Sequence, residues 1–415
     1  MGKQRGNFAA TSRWVWLDYD EAESKQVRDF LSQDVEGEGV DALRIGASVR
    51  DRIAEQLFPG TSTQYTRLRY VILIPALLSK KGTTAGSLLQ AQRAMNYALQ
   101  KANPKETGVL GRRSPNRDFV HLYWTALRTW KFLEAPGGDA RNLTVGNGIE
   151  AFQYKSPADE DGSAIAESRV VWHPTVVRLA EEFWKPTDTT GWPSINCRKE
   201  EAEFILKQWL DLPEFPPLAA IAYELAKRRP QSKVSYPWEV STTHTNSRTA
   251  LDRAKAVSLI CWGAQLAYNF ELLRKARVLE SKTIETTWTR RNRDLNVTER
   301  QIADLFAEWS RALNAEKRSL GGWAEAEHWR ELGTSSARTF LSQAASWLLL
   351  GKTDLKSSYW ADWVCEREKV NPAPKLSIES NLAAWSGTPE MARRWDFRWN
   401  KSVSRFVSDA ENALG

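Results

Sequence analysis

The run "AVSLICWGAQLAYNFELL", residues 256–273, constrains the fold of this chain most strongly. It is apolar enough to demand burial along most of its length, and long enough for about five turns of helix. Ser258, Gln265, Asn269 and Glu271 interrupt it. A membrane span would have to hide all four from hydrocarbon, so we read the run as a central buried helix of a globular protein. The surrounding chain of 415 residues is 42% hydrophobic and 26% charged. That supports a substantial core in two or three domains or one large composite.

The N-terminal stretch "MGKQRGNFAATSR" lacks an apolar signal core, and Gly6 stands where myristoylation needs Ser or Thr. A cytoplasmic location with no membrane partner is the expectation. Cys197, Cys261 and Cys365 form no C-x-x-C pair, and the four histidines are equally scattered. Neither a disulfide framework nor a His/Cys metal site is indicated, and no cofactor is implied. Walker, H-E-x-x-H, G-x-S-x-G and dinucleotide patterns do not occur.

Periodicity predicts a mainly α protein with minor β (α+β), with two subdomains around the central buried helix. "SRWVWLDYD" (12–20) alternates like a strand, and a helix follows over 21–33. Further helices are expected over 42–58, from about Ser62 with a kink at Pro75, and over 84–101 and 118–134. Residues 137–163 read as turns. From 174 onward the pattern is helical over 174–184, 198–211, 216–229, 249–277, 298–318, 334–350, 357–369 and 389–413. We expect an active-site region in 1–170 and a helical region with basic DNA-binding segments in 171–415.

Net charge is +7. The bias sharpens in 101–131 and 225–255, each with seven Lys/Arg against two acids, and in 274–300, with eight against four. Tyr123, Trp124, Trp130, Tyr236, Trp238 and Trp288 fall among these charges. Such a mixture suits a nucleic-acid backbone with stackable bases. It equally suits solvated helix faces over a Trp-rich core, and most of the 20 tryptophans must serve burial.

The block "LFPGTSTQYTRLRY" (57–70) sets hydroxyls, two arginines and two tyrosines before the apolar "VILIPALL". Thr61 and Gln64 match a capping box, so the block reads as the polar N-terminus of a buried helix facing a ligand cavity. The alternative pairs Arg67 and Arg69 with local acids such as Asp51 or Glu55. Asp18, beside Trp14 and Trp16, is the candidate catalytic carboxylate. A weaker arrangement, Asp139 with Gln153-x-Lys155, resembles a degenerate metal-nuclease motif.

"WLDY" (16–19), "IGASVRDRIAEQLFPGTSTQYTRLRY" (45–70), "RAKAVSLICWGAQLAYNFELL" (253–273) and "WDFRW" (395–399) resemble a bacterial family. That family recurs in phage-defence gene clusters and has long been described only as a domain of unknown function. One of its members is a DNA glycosylase acting on glucosylated hydroxymethylcytosine. The resemblance implies a monofunctional, metal-free DNA glycosylase whose partner is double-stranded phage DNA bearing modified bases. Position and chemistry then suggest roles. Asp18 would stabilise the oxocarbenium character, and Tyr19, Tyr65 and Tyr70 would bracket the base. Thr63, Thr66 and Arg69 would hydrogen-bond the base or its sugar, and Arg67 would hold a phosphate. The competing class is a non-catalytic component that binds modified DNA for a partner nuclease.

Overall fold

Helices dominate the computed structural model, which describes residues 41–112, 118–135, 142–153, 170–183, 194–282 and 294–415. In chain order they begin with α1 (Asp51–Leu57), α2 (Tyr70–Ser79), α3 (Leu88–Ala102), α4 (Phe119–Thr129), α5 (Val145–Gln153), α6 (Pro174–Phe183), α7 (Lys199–Leu210) and α8 (Pro217–Ala226). There follow α9 (Thr245–Lys282), α10 (Leu295–Glu316), α11 (Ser335–Leu349), α12 (Ser358–Glu368), α13 (Glu379–Ala383) and α14 (Ser404–Leu414). Two short strands, β1 (Leu133–Glu134) and β2 (Val171–Trp172), pair antiparallel with Leu133 opposite Trp172. The protein is therefore mainly α. The strand and helix expected within 12–33 lie outside the described residues.

Two helices organise the core. In α2 every residue from Tyr70 to Leu78 is buried, and α4, α5 and α6 pack around it. Pro75 removes one backbone donor inside α2, and burial on all sides outweighs that local cost. The second is α9, which carries the expected central run and is contacted by α1, α8 and α10 to α13. Several of its buried polar residues are satisfied locally or across the core, while the Gln265 amide group has no hydrogen-bond partner among the described residues. Asn269 donates to the Glu390 carbonyl and accepts from the Glu390 amide, and the Trp262 indole donates to the Ala392 carbonyl. One contiguous apolar cluster runs from Ala42 to Ala410, and β2 and α6 join the two sides of the boundary expected near 170. No helix among the described residues is long and apolar enough to cross a membrane.

Three elements differ from expectation for physical reasons. No helix starts at Ser62, and α2 begins at Tyr70. The intervening backbone donors are taken by distant side chains: the Tyr123 hydroxyl accepts from the Thr66 and Arg67 amides, and Asp409 accepts from the Leu68 amide. Within the supposed turn region, 145–153 is helical. Its glycines hide the helix in the sequence, yet a Cβ on Gly148 would sit 2.5 Å from Trp124, so only glycine lets α5 approach that ring. Finally, 389–398 is irregular before α14. Trp395, Phe397 and Trp399 are all buried, a two-residue spacing that no α-helix can direct to one side. Positive φ at Phe397 (51°) and Arg398 (74°) turns the chain to achieve it.

Candidate functional site

The block 61–70 folds as a clamp. Tyr65 stacks on Tyr123 with ring centroids 4.2 Å apart, and Phe406 lies 5.8 Å from Tyr65. Tyr70 packs against Phe119 and Tyr123, and its hydroxyl accepts from the Leu110 amide at 2.8 Å. Burial lifts the phenol groups of Tyr65 and Tyr70 well above their ordinary range. Burial also raises Tyr123, to about 12, against the backbone hydrogen bonds of Arg67 and Thr66 that lower it. Neither Tyr65 nor Tyr70 offers a free face to a base.

Arg69 is 2% exposed and makes a two-pronged ion pair with Glu201 of α7 at 2.8 and 2.9 Å, while also donating to the Ser194 carbonyl. It has no donor directed at solvent for a base or sugar to accept. The Thr66 hydroxyl donates to the Gly108 carbonyl at 2.6 Å, and Thr63 is half-buried. Asp18 and Tyr19 lie outside the described residues, as do Asp139 and Lys155. Gln153 ends α5 and donates to the Thr83 carbonyl. The arginines do pair with acids, though not with local ones. Asp51 instead meets Arg50, and Glu55 meets Arg398.

Of the residues singled out in the block, Arg67 lines a cleft. The cleft holds about 340 Å³ and is walled by Arg67, Glu106, Asn196, Cys197, Asp409 and Asn412. Four chain segments meet here: the clamp, the loop after α3, the turn before α7, and α14. Arg67 donates to Asp409 at 3.0 Å, to Glu106 at 3.0 Å, to the Thr107 carbonyl at 3.1 Å and to Asn196 at 2.5 Å. Its charge is matched by two carboxylates, with which the phosphate expected of it would compete. Gly108 makes this fit possible: at φ 80°, a Cβ there would press on the Arg67 side chain at 3.0 Å.

The two acids differ. Asp409 is buried at the base, where burial pushes its carboxyl above its ordinary value, against the Arg67 charge and the Leu68 amide that pull it down. The Glu106 side chain is 42% exposed at the mouth. The Cys197 thiol is pushed well up by burial, with Glu201 and Asp409 adding to the effect, so it is a poor thiolate nucleophile. Among the described residues no group of three or more His, Cys, Asp or Glu side chains could hold a metal ion. The arrangement can present a carboxylate, amide groups and a fixed cation to a polar ligand.

The aromatics expected to accompany the basic segments are mostly core. Tyr123, Trp124, Trp130 and Trp238 are buried, and Trp288 lies outside the described residues. Glu106 and Asp409 were not anticipated. Asp409 lies 342 residues from Arg67, and no local spacing could have paired them.

Fold and cleft together define a mainly α protein with an acid-lined polar cleft. Residues 11–156 are similar to a family of unknown function, DUF6361. That span includes Asp18, Arg67 and Glu106 but not Asp409. No curated protein and no solved structure matches the chain.

Proposed function

We propose that the protein is a monofunctional DNA glycosylase that excises a modified cytosine, glucosylated hydroxymethylcytosine in phage DNA, and so serves anti-phage defence. The observation that carries this reading is the cleft, where Glu106 and Asp409 share the Arg67 guanidinium within a polar wall. Hydrolysis of the bond between C1′ and the base sends the bonding electrons to the base nitrogen and joins a water oxygen to C1′. A carboxylate near C1′ stabilises the oxocarbenium-like transition state or takes the proton from that water. Two carboxylates are candidates for that contact: Asp18, from its sequence position, and Glu106, at the cleft mouth. Asp409 is a positioning residue that holds Arg67. The resemblance of the 45–70 block to the defence-associated family supports the same reading.

A second reading, a non-catalytic protein that binds modified DNA for a partner, is favoured by the saturation of Asp409. That carboxylate already accepts from Arg67 and Leu68, as a purely structural ion pair would. One assay separates the two. Purified protein is incubated with modified and plain DNA, with and without EDTA, then with alkali or an abasic-site lyase. Strand breaks that need the second treatment and occur only in modified DNA support the glycosylase. Binding without abasic sites supports the second reading, and direct breaks abolished by EDTA indicate a nuclease.

A further inference from the structure

Arg67 acts in the cleft as a frame. A guanidinium carries its N–H donors in one rigid plane, and those of Arg67 are spent inside the protein. Nε meets Asp409, Nη1 meets Glu106 and the Thr107 carbonyl, and Nη2 meets Asn196 and Asp409. Glu106 and Asn196 thus sit side by side on the two terminal nitrogens of one planar group, although they come from different loops. Asn103 ties those loops together. Its carbonyl accepts from the Glu106 amide at 3.2 Å, and its side-chain oxygen accepts from the Ile195 amide at 3.1 Å. Ile195 is fully buried, and the Asn196 amide donates to the Ser194 hydroxyl.

Each of the two side chains has one end committed to Arg67 and one end left over. Glu106 uses Oε2, which leaves Oε1, an acceptor only. Asn196 uses Oδ1, which orients its amide and leaves Nδ2, a donor only. Neither leftover end has a hydrogen-bond partner among the described residues, and both side chains line the cleft. The cleft therefore presents an acceptor beside a donor. Its volume of about 340 Å³ has room for a single base.

The complement of such a pair is a donor beside an acceptor. Cytosine offers one along its Watson–Crick edge, the N4 amino group next to N3, and a carboxylate suits N4. Extruded bases are read along that edge. Uracil and thymine carry a carbonyl in place of the amino group, so in the same pose Glu106 would face a second acceptor, which leaves both unsatisfied. They can meet the pair only with the ring moved along by one atom, and the glycosidic bond moves with it.

We infer that Glu106 and Asn196 are the specificity-determining pair of the cleft and read the cytosine edge, Glu106 Oε1 accepting from N4 and Asn196 Nδ2 donating to N3. This rests on the reading that the cleft takes an extruded base. Engaged at that edge, Glu106 is not at C1′, so of the two candidate carboxylates Asp18 is left for the reaction.

Ligand-observed NMR titration with 5-hydroxymethyl-2′-deoxycytidine and 5-hydroxymethyl-2′-deoxyuridine tests it, because the two probes differ only along that edge. The wild-type protein should bind the cytidine probe about tenfold more tightly or better. N196A should weaken the cytidine probe about tenfold. Asn196 is exposed, so the melting temperature of N196A should match that of the wild type. E106Q keeps a carbonyl oxygen for Arg67 but turns a donor toward the amino group, and should bring the two probes to within about twofold of each other. Equal affinity of the wild type for both probes, binding of neither at about 10 mM, or unchanged selectivity in both variants overturns this inference alone. Selective binding of the cytidine probe without base release from modified DNA overturns the glycosylase reading alone.

Discussion

Replacing Glu201 by Gln removes the partner of Arg69 and leaves its guanidinium buried. Both side chains are 3% exposed, and the shortest contact is 2.8 Å. At an effective dielectric of about 20, the attraction at that distance is roughly 6 kcal/mol, and desolvating the two ions offsets most of it. The pair therefore contributes little net stability, whereas breaking it by removing one partner costs about 3–5 kcal/mol. That is a large share of a typical total of about 5–15 kcal/mol. Urea unfolding followed by tryptophan fluorescence measures the change. E201Q and R69M should each lose about 3–5 kcal/mol, and R69M/E201M should lose no more than either single variant. Single losses below about 1 kcal/mol, or losses that add in the double variant, would refute the reading of this block as a buried clamp.

Three further outcomes follow from the geometry. G148A forces a methyl group against Trp124 and Trp172 and should cost about 1–3 kcal/mol in thermal or urea unfolding. Burial lifts the Glu390 carboxyl above its ordinary value of 4.5, against Lys375. The native state thus keeps that proton to higher pH than the unfolded chain does. Its stabilising effect is full below 4.5 and is lost as pH rises through the raised native value. The melting temperature of the wild type should accordingly fall relative to that of E390Q between about pH 4 and 8, and a constant difference would contradict this. D18N and E106Q, assayed separately for base release, should identify the reacting carboxylate by a loss of about 100-fold or more in kcat with DNA affinity retained. Wild-type rates in both would remove Asp18 and Glu106 from the mechanism.

The helices were legible wherever apolar periodicity ran unopposed, as in α6, α7, α11 and the central run inside α9. They were illegible where a distant partner decided the backbone. Residues 61–69 match a helix start locally, yet Tyr123 and Asp409 claim their amides. The partners of the block were hidden for the same reason. Two arginines and two tyrosines in one short block look identical in sequence whether they face a ligand or a core. Only the positions of Glu201, Asp409, Phe119 and Phe406, far along the chain, distinguish the cases.

The central claim is that this chain cuts the bond between a modified cytosine and its sugar. Mass spectrometry of the small-molecule fraction, after incubation with DNA containing glucosylated hydroxymethylcytosine, tests it most directly. The account predicts free modified base in the presence of EDTA, abasic sites in equal amount in the DNA, and neither product from unmodified DNA. Intact DNA with no free base, or strand breaks that form without abasic sites, would contradict it.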